Sequence, residues 1–155
     1  CMFPPTDGND RALGRRNVVL ETLSNAGVIV PEAWALTTVY SISESKRDMQ
    51  KLLLGPNRPT ALICGNDILA TGAIYAAHAA GLAVPDDISI VGIGDFKGSA
   101  DIEPSLTTVR LPAKAIGDEA GSILANAIID QTPLEDCSRH CMPTLVQRHS
   151  AKPAL

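Results

Sequence analysis

Aromatic side chains are scarce, with two Phe, two Tyr and one Trp in 155 residues, so few platforms exist for stacking bases or sugar rings. Positive charge is not in excess either: 13 Lys and Arg against 17 Asp and Glu give a net charge of -4. That balance excludes a phosphate-backbone grip by this stretch alone, because such binding needs concentrated Lys and Arg. No apolar run approaches the roughly 18 residues of a membrane span. Cys1-Met2-Phe3-Pro4-Pro5 lacks the basic and apolar regions of a signal segment, so the chain is expected to be a cytoplasmic fragment starting inside a larger protein.

Enzyme signatures are missing as well. Gly92-Ile93-Gly94 lacks the third glycine of a dinucleotide fingerprint, and no Gly-rich loop ends in Lys-Ser or Lys-Thr. His78 falls on an Ala-rich helix, and His140 and His149 flank the last strand, so no nucleophile, base and acid triad can be assembled. The chain is not expected to be an enzyme or to hold a cofactor. Four cysteines do not force a disulfide framework at this length. Cys64 closes an apolar strand and reads as a core residue. Cys137, His140, Cys141 and His149 are irregularly spaced for zinc, and an extended segment from Cys141 would point alternate side chains to opposite faces. No metal site is expected.

What is present is an alternation of helices and apolar strands in one domain-sized unit that is 45% hydrophobic and 19% charged. A first helix is predicted over Asn9–Ala26, with Ala12, Val19 and Leu23 in its apolar stripe. An extended segment follows near Leu36–Tyr40. A second helix, Ser43–Leu54, uses Met49, Leu52 and Leu53 as its core face and stops at Gly55-Pro56. The run Ala61–Cys64 reads as a strand buried on both faces. Asn66 or Asp67 can cap the small-residue helix Ile68–Ala80, and Ile88–Ile93 is the next strand. Beyond it lie a polar loop over Phe96–Ser105, an extended crossing over Leu106–Val109, and a helix over Ala113–Ile129 with Ile116, Ala120, Ile123, Leu124 and Ala127 as its stripe. A turn over Gln131–Ser138, a last strand over Cys141–Gln147 and a loose tail from Ala151 complete the reading.

The stretch Pro59-Thr60-Ala61, Cys64, Asn66-Asp67, Ala70, Gly72-Ala73, Gly81-Leu82, Val84-Pro85, Asp87-Ile88-Ser89, Val91-Gly92 and Asp95 closely resembles the effector-binding domain of the lac repressor family of bacterial transcription regulators. Pro104–Arg110 is similar to the family's return crossing, and Leu145–Ser150 to its final strand with an Arg-x-Ser ending. The resemblance covers about Asn9 to Ser150. It implies a three-layer, type I periplasmic-binding-protein-like α/β fold, a parallel sheet with flanking helices, incomplete here. Residues 1–108 and 139–150 would form the carboxyl-terminal lobe, 109–138 would belong to an otherwise absent amino-terminal lobe, and 151–155 would be a tail. The family implies a small-molecule effector held between the lobes, a sugar or related polyol. It also implies a homodimer and operator DNA contacted through an absent helix-turn-helix module. A solute-binding protein of a sugar uptake system is the alternative, since it shares the lobes and the ligand chemistry.

Asp95 follows a parallel strand, where a carboxylate can accept hydrogen bonds from ligand hydroxyl or N–H groups; a loop cap is its structural alternative. By resemblance, Arg15 stands at the family's effector-binding arginine, with Val18 where that motif has glycine. Tyr40 stands where members place an aromatic against the ligand, before a helix opening in which Ser45 replaces glycine. Asn66 both donates and accepts, which suits a polyol or a helix cap alike. Asn9 and Arg11 fall where members reach the effector from the preceding loop and the first helix turn. Leu111 replaces a frequent Gln after the crossing and removes one polar contact.

Overall fold

A computed structural model describes residues 1–130 and 138–153. Its elements are β1 (Met2–Phe3), α1 (Asp10–Asn25), a short 3-10 turn (Glu32–Trp34), β2 (Leu36–Thr37), α2 (Ile42–Leu53), β3 (Ala61–Ile63), α3 (Asp67–Ala79), β4 (Ser89–Gly94), β5 (Thr107–Arg110), α4 (Ala113–Asp130) and β6 (Thr144–Val146). β1 pairs in parallel with β2, and a parallel bridge from Met2 to Cys64 sets it beside β3. β3, β4 and β5 continue in parallel, and β6 closes the edge antiparallel to β5. The strands therefore run in the order 2-1-3-4-5-6.

Strand order reverses between β1 and β3, while the strands themselves stay parallel. The crossovers β2-α2-β3 and β3-α3-β4 step one way, whereas β1-α1-β2 steps the other. Right-handed crossovers then place α2 and α3 on one face of the sheet and α1 on the opposite face. The three-layer arrangement is thus a consequence of handedness and strand order.

The core fills the α2/α3 side. Met2, Met49, Leu53, Leu62, Cys64, Leu69, Ala70, Ala73, Ile74, Ala76, Ala77, Ile88, Ile90 and Leu106 form one buried cluster. Small residues allow the two helices to approach closely: a Cβ on Gly72 would lie 2.6 Å from the Ile42 carbonyl oxygen and 2.6 Å from Ser45 Cβ. Ser45 occupies that contact as a hydrogen-bond donor, its hydroxyl reaching Leu69 O at 2.7 Å. Both helices open on side-chain caps. Ser41 accepts from Glu44 N, and Asn66, not Asp67, accepts from Leu69 N.

Several expected boundaries shift. Pairing with β1, a two-residue strand that sequence pattern did not single out, confines the extended segment to Leu36–Thr37 and leaves Tyr40 outside it. The last strand spans only Thr144–Val146, where β5 supplies partners through Arg110. The Gln131–Ser138 turn falls almost entirely outside the described residues. The tail is fastened at Lys152, whose Nζ meets Asp86 at 2.7 Å and whose N–H donates to Ser89. None of the eighteen residues of α4 is buried; of its expected stripe, Ile116, Ala120 and Leu124 are exposed and Ile123 and Ala127 half-buried.

Candidate functional site

Parallel strands deliver their loops to one edge, and in an open sheet the crevice lies where strand order reverses. Here that point is the gap between the ends of β1 and β3. The loop after β1 carries Asn9, whose side chain caps α1 by accepting from Ala12 N at 3.1 Å. One turn further along α1, Arg15 donates from Nη1 to the carbonyl of Gly65 at 3.0 Å. Gly65 follows β3 and precedes Asn66, so the first-helix guanidinium and the α3 cap meet across the reversal point. Asn66 is 1% exposed; its Oδ1 is used by the cap, while Nδ2 is buried without a partner among the described residues. That amide is a donor held next to the crevice without an acceptor, a costly arrangement unless a ligand or water supplies one.

Asp95 lies one residue beyond β4 in the left-handed region, at φ 51°. Register brings Gly94 opposite Arg110 at the end of β5, so the carboxylate arrives beside two arginines. Arg148 Nη2 donates to Oδ1 and Arg110 Nε to Oδ2, each at 2.6 Å. Arg148 is itself fixed, donating from Nη1 to Leu106 O and from its backbone N–H to Thr107 Oγ1. Burial pulls the Asp95 carboxyl upward, but hydrogen bonds from Arg148 and Arg110 and their positive charge outweigh it and hold the group below the usual carboxylate value.

Behind Asp95 sits a second carboxylate that anchors the loop. Asp67 is 2% exposed and accepts from Thr108 Oγ1 at 2.6 Å, Ser99 Oγ at 2.7 Å and Phe96 N at 2.9 Å. It reaches the sheet because residue 92 is glycine; a Cβ there would overlap the carboxylate oxygen. The β3, β4 and β5 ends are thereby tied into one rigid edge.

The remaining sequence candidates sit more loosely. Tyr40 is 53% exposed and Arg11 is exposed, and neither has a hydrogen-bond partner among the described residues. Leu111 and Val18 are exposed where the family pattern has Gln and Gly. Sequence reasoning passed over Arg110, Arg148 and the buried role of Asp67. The parallel register of β4 with β5 is the signal for Arg110, but it exists only once the strands are paired.

An open cleft of about 370 Å³ lies elsewhere, between α4 and the segment from Arg139 to Cys141. It shares no residue with the strand-end group. Cys137 lies outside the described residues, and no cluster of three metal-capable side chains occurs among the described ones. His149 instead shares a hydrogen bond with Ser105 Oγ at 2.9 Å.

A periplasmic binding protein-like domain model matches residues 1–151. The chain is 36% identical over 137 residues to the HTH-type transcriptional repressor PurR of Erwinia tasmaniensis, a match covering 88% of this chain and 40% of that protein. It therefore spans about two fifths of the curated relative's length. Its fold superposes on a LacI-family regulatory protein from Chloroflexus aggregans with a TM-score of 0.88, at 27% identity over 97% of this chain and 54% of that one. A LacI-family transcriptional regulator from Lactobacillus casei, solved with bound sucrose, gives a TM-score of 0.75 at 26% identity over 87% of this chain and 50% of that one. These relatives are transcriptional regulators and not enzymes. With this strand order and this edge of polar groups, the chain belongs to the periplasmic binding protein-like domain family and is similar, within it, to LacI-type regulators.

Proposed function

We propose that this chain is the carboxyl-terminal part of the effector-binding domain of a DNA-binding transcription regulator, and that the edge at β1, β3 and β4 is its effector site. The observation that carries the reading is the gathering of Arg15, Asn66 and Asp95 on one edge flanking the reversal of strand order, including a buried amide donor with no partner among the described residues. The effector is a small metabolite, a sugar or related polyol, because the edge alternates donors with a carboxylate acceptor. The sucrose bound to the Lactobacillus casei relative agrees with that chemistry. Asn9, Arg11 and Tyr40 complete the contact set from α1 and from the loop after β2, Tyr40 lending its exposed ring to a sugar face.

The chain beyond β5, including α4, belongs to a second lobe, the expected boundary at 109 moving past Arg110 because β4 holds Val109 and Arg110 in the sheet, and this is why α4 buries none of its residues here. Effector held between the lobes stabilises one relative orientation and so shifts the DNA-competent population. The full-length protein is a cytoplasmic homodimer that reads operator DNA through a helix-turn-helix outside this stretch, and its ligand is not chemically altered. No helix among the described residues is long and apolar enough to cross a membrane.

The test is operator binding by the full-length protein, selected against its own upstream DNA, with and without sucrose, cellobiose and common monosaccharides. Operator affinity that changes with one of these sugars, and a weaker response in Arg15→Ala, are expected. Absence of sequence-specific DNA binding in every state would favour the uptake-system solute-binding protein instead.

A further inference from the structure

The Asp95 carboxylate joins two strands that lead to the same place. Arg110 is the last residue of β5, immediately before Leu111 and Pro112 carry the chain to α4, and Arg148 follows β6, which brings the chain back. One oxygen of Asp95 holds each of them. The two grips are unequal. Arg148 is 17% exposed and has additional bonds to Leu106 and Thr107, whereas Arg110 is 56% exposed and is held among the described residues only through Nε. An ion pair that open to solvent contributes little, whereas a part-buried guanidinium with further backbone partners stays in place.

We propose that Asp95 is a latch on the crossing to α4, with Arg148 as its fixed arm and Arg110 as its releasable arm. A ligand O–H or N–H group that takes Oδ2 displaces Arg110 and frees the β5 exit while Arg148 keeps the carboxylate aimed at the crevice. Arg148 is then a positioning residue for Asp95, and Arg110 is the group that converts occupancy of the site into freedom of the crossing. Leu111, apolar and next in sequence, offers no polar substitute when Arg110 leaves. This inference rests on the strand edge being the effector site.

Amide hydrogen exchange on the full-length protein without ligand tests the latch directly. Arg110→Gln reproduces release of one arm, and Asp95→Asn removes the charge that holds both. Arg110→Gln should speed exchange at Val109–Ala113 and Thr144–Val146 by roughly two- to fivefold, and Asp95→Asn by more because it releases both arms, while amides of α2 and α3 keep their wild-type rates. Arg110→Lys should restore part of the protection, and the melting temperature of Arg110→Gln should stay within about 2 °C of wild type. Unchanged exchange at the crossing in both variants overturns the latch. So does faster exchange spread equally over α3, which would make the pair general stabilisation. Failure of sugar or operator binding would instead count against the effector reading, since these exchange rates need neither partner.

Discussion

The Thr108 hydroxyl, at the middle of β5, donates to Asp67 Oδ1 at 2.6 Å and lies 3.4 Å from the Asp95 N–H, so one side chain connects the start of α3 to the loop that presents Asp95. Asp67→Ala leaves Thr108 Oγ1, Ser99 Oγ and Phe96 N without their acceptor. Each stranded donor costs about 1–3 kcal/mol, less than additively, so a loss of roughly 3 kcal/mol is expected. Denaturant unfolding should show the midpoint falling with little change in slope, and a loss below about 1 kcal/mol would refute this account of the edge.

Gly72 is required by the α2/α3 contact. Gly72→Ala places a methyl against the Ile42 carbonyl, a backbone atom that cannot rotate away, and overpacking of this kind costs about 1–3 kcal/mol. Adding Ser45→Gly should recover only part of the melting temperature, because the Ile42 oxygen remains. Full recovery in the double variant would assign the clash to Ser45 alone.

Asp95 makes stability depend on acid. Its pKa in the folded protein lies below that of the unfolded chain, about 3.9, so the native state favours the ionised form. The resulting stabilisation is present above the unfolded value and is lost as pH falls through the lower folded one. The melting-temperature advantage of wild type over Asp95→Asn should therefore hold between pH 5 and 7 and shrink below about pH 4. A gap independent of pH across that range would remove charge from the explanation.

Cys64 is fully buried, and burial pushes its thiol up to about 12. Almost none is thiolate at pH 8, and no reagent reaches it in the native fold. Iodoacetamide followed by peptide mass spectrometry should label the part-exposed Cys141 in the native protein and Cys64 only after denaturation. Equal labelling of both in the native state would show that the β3 edge opens.

Local pattern alone carried the helices and the position of β3, but not its expected burial on both faces: Leu62 is buried, whereas Ala61 is exposed and Ile63 half-buried. Met49, Leu52 and Leu53 recur at helical spacing, and Ala61–Cys64 is a continuous apolar run, so both elements are written in side-chain chemistry along a short window. A cap at Asn66 or Asp67 and the placement of Asp95 just past a strand followed from the same windows, and the structure chose Asn66. Two-residue β1 carries no period to read, and β2 and β6 are shorter than their extended surroundings because a strand ends where its partner does.

Tertiary structure decided what distant residues do to one another. Only pairing of β4 with β5 brings Arg110 beside Asp95, and only return of the chain through β6, 53 residues beyond Asp95, supplies Arg148. Asp67 changed from a cap alternative into the anchor of the strand edge for the same reason: its three donors lie 29 to 41 residues further along the chain. Sequence windows encode how a residue treats its neighbours along the chain; charge pairing and buried hydrogen bonds depend on separations in space, which the sheet order alone sets.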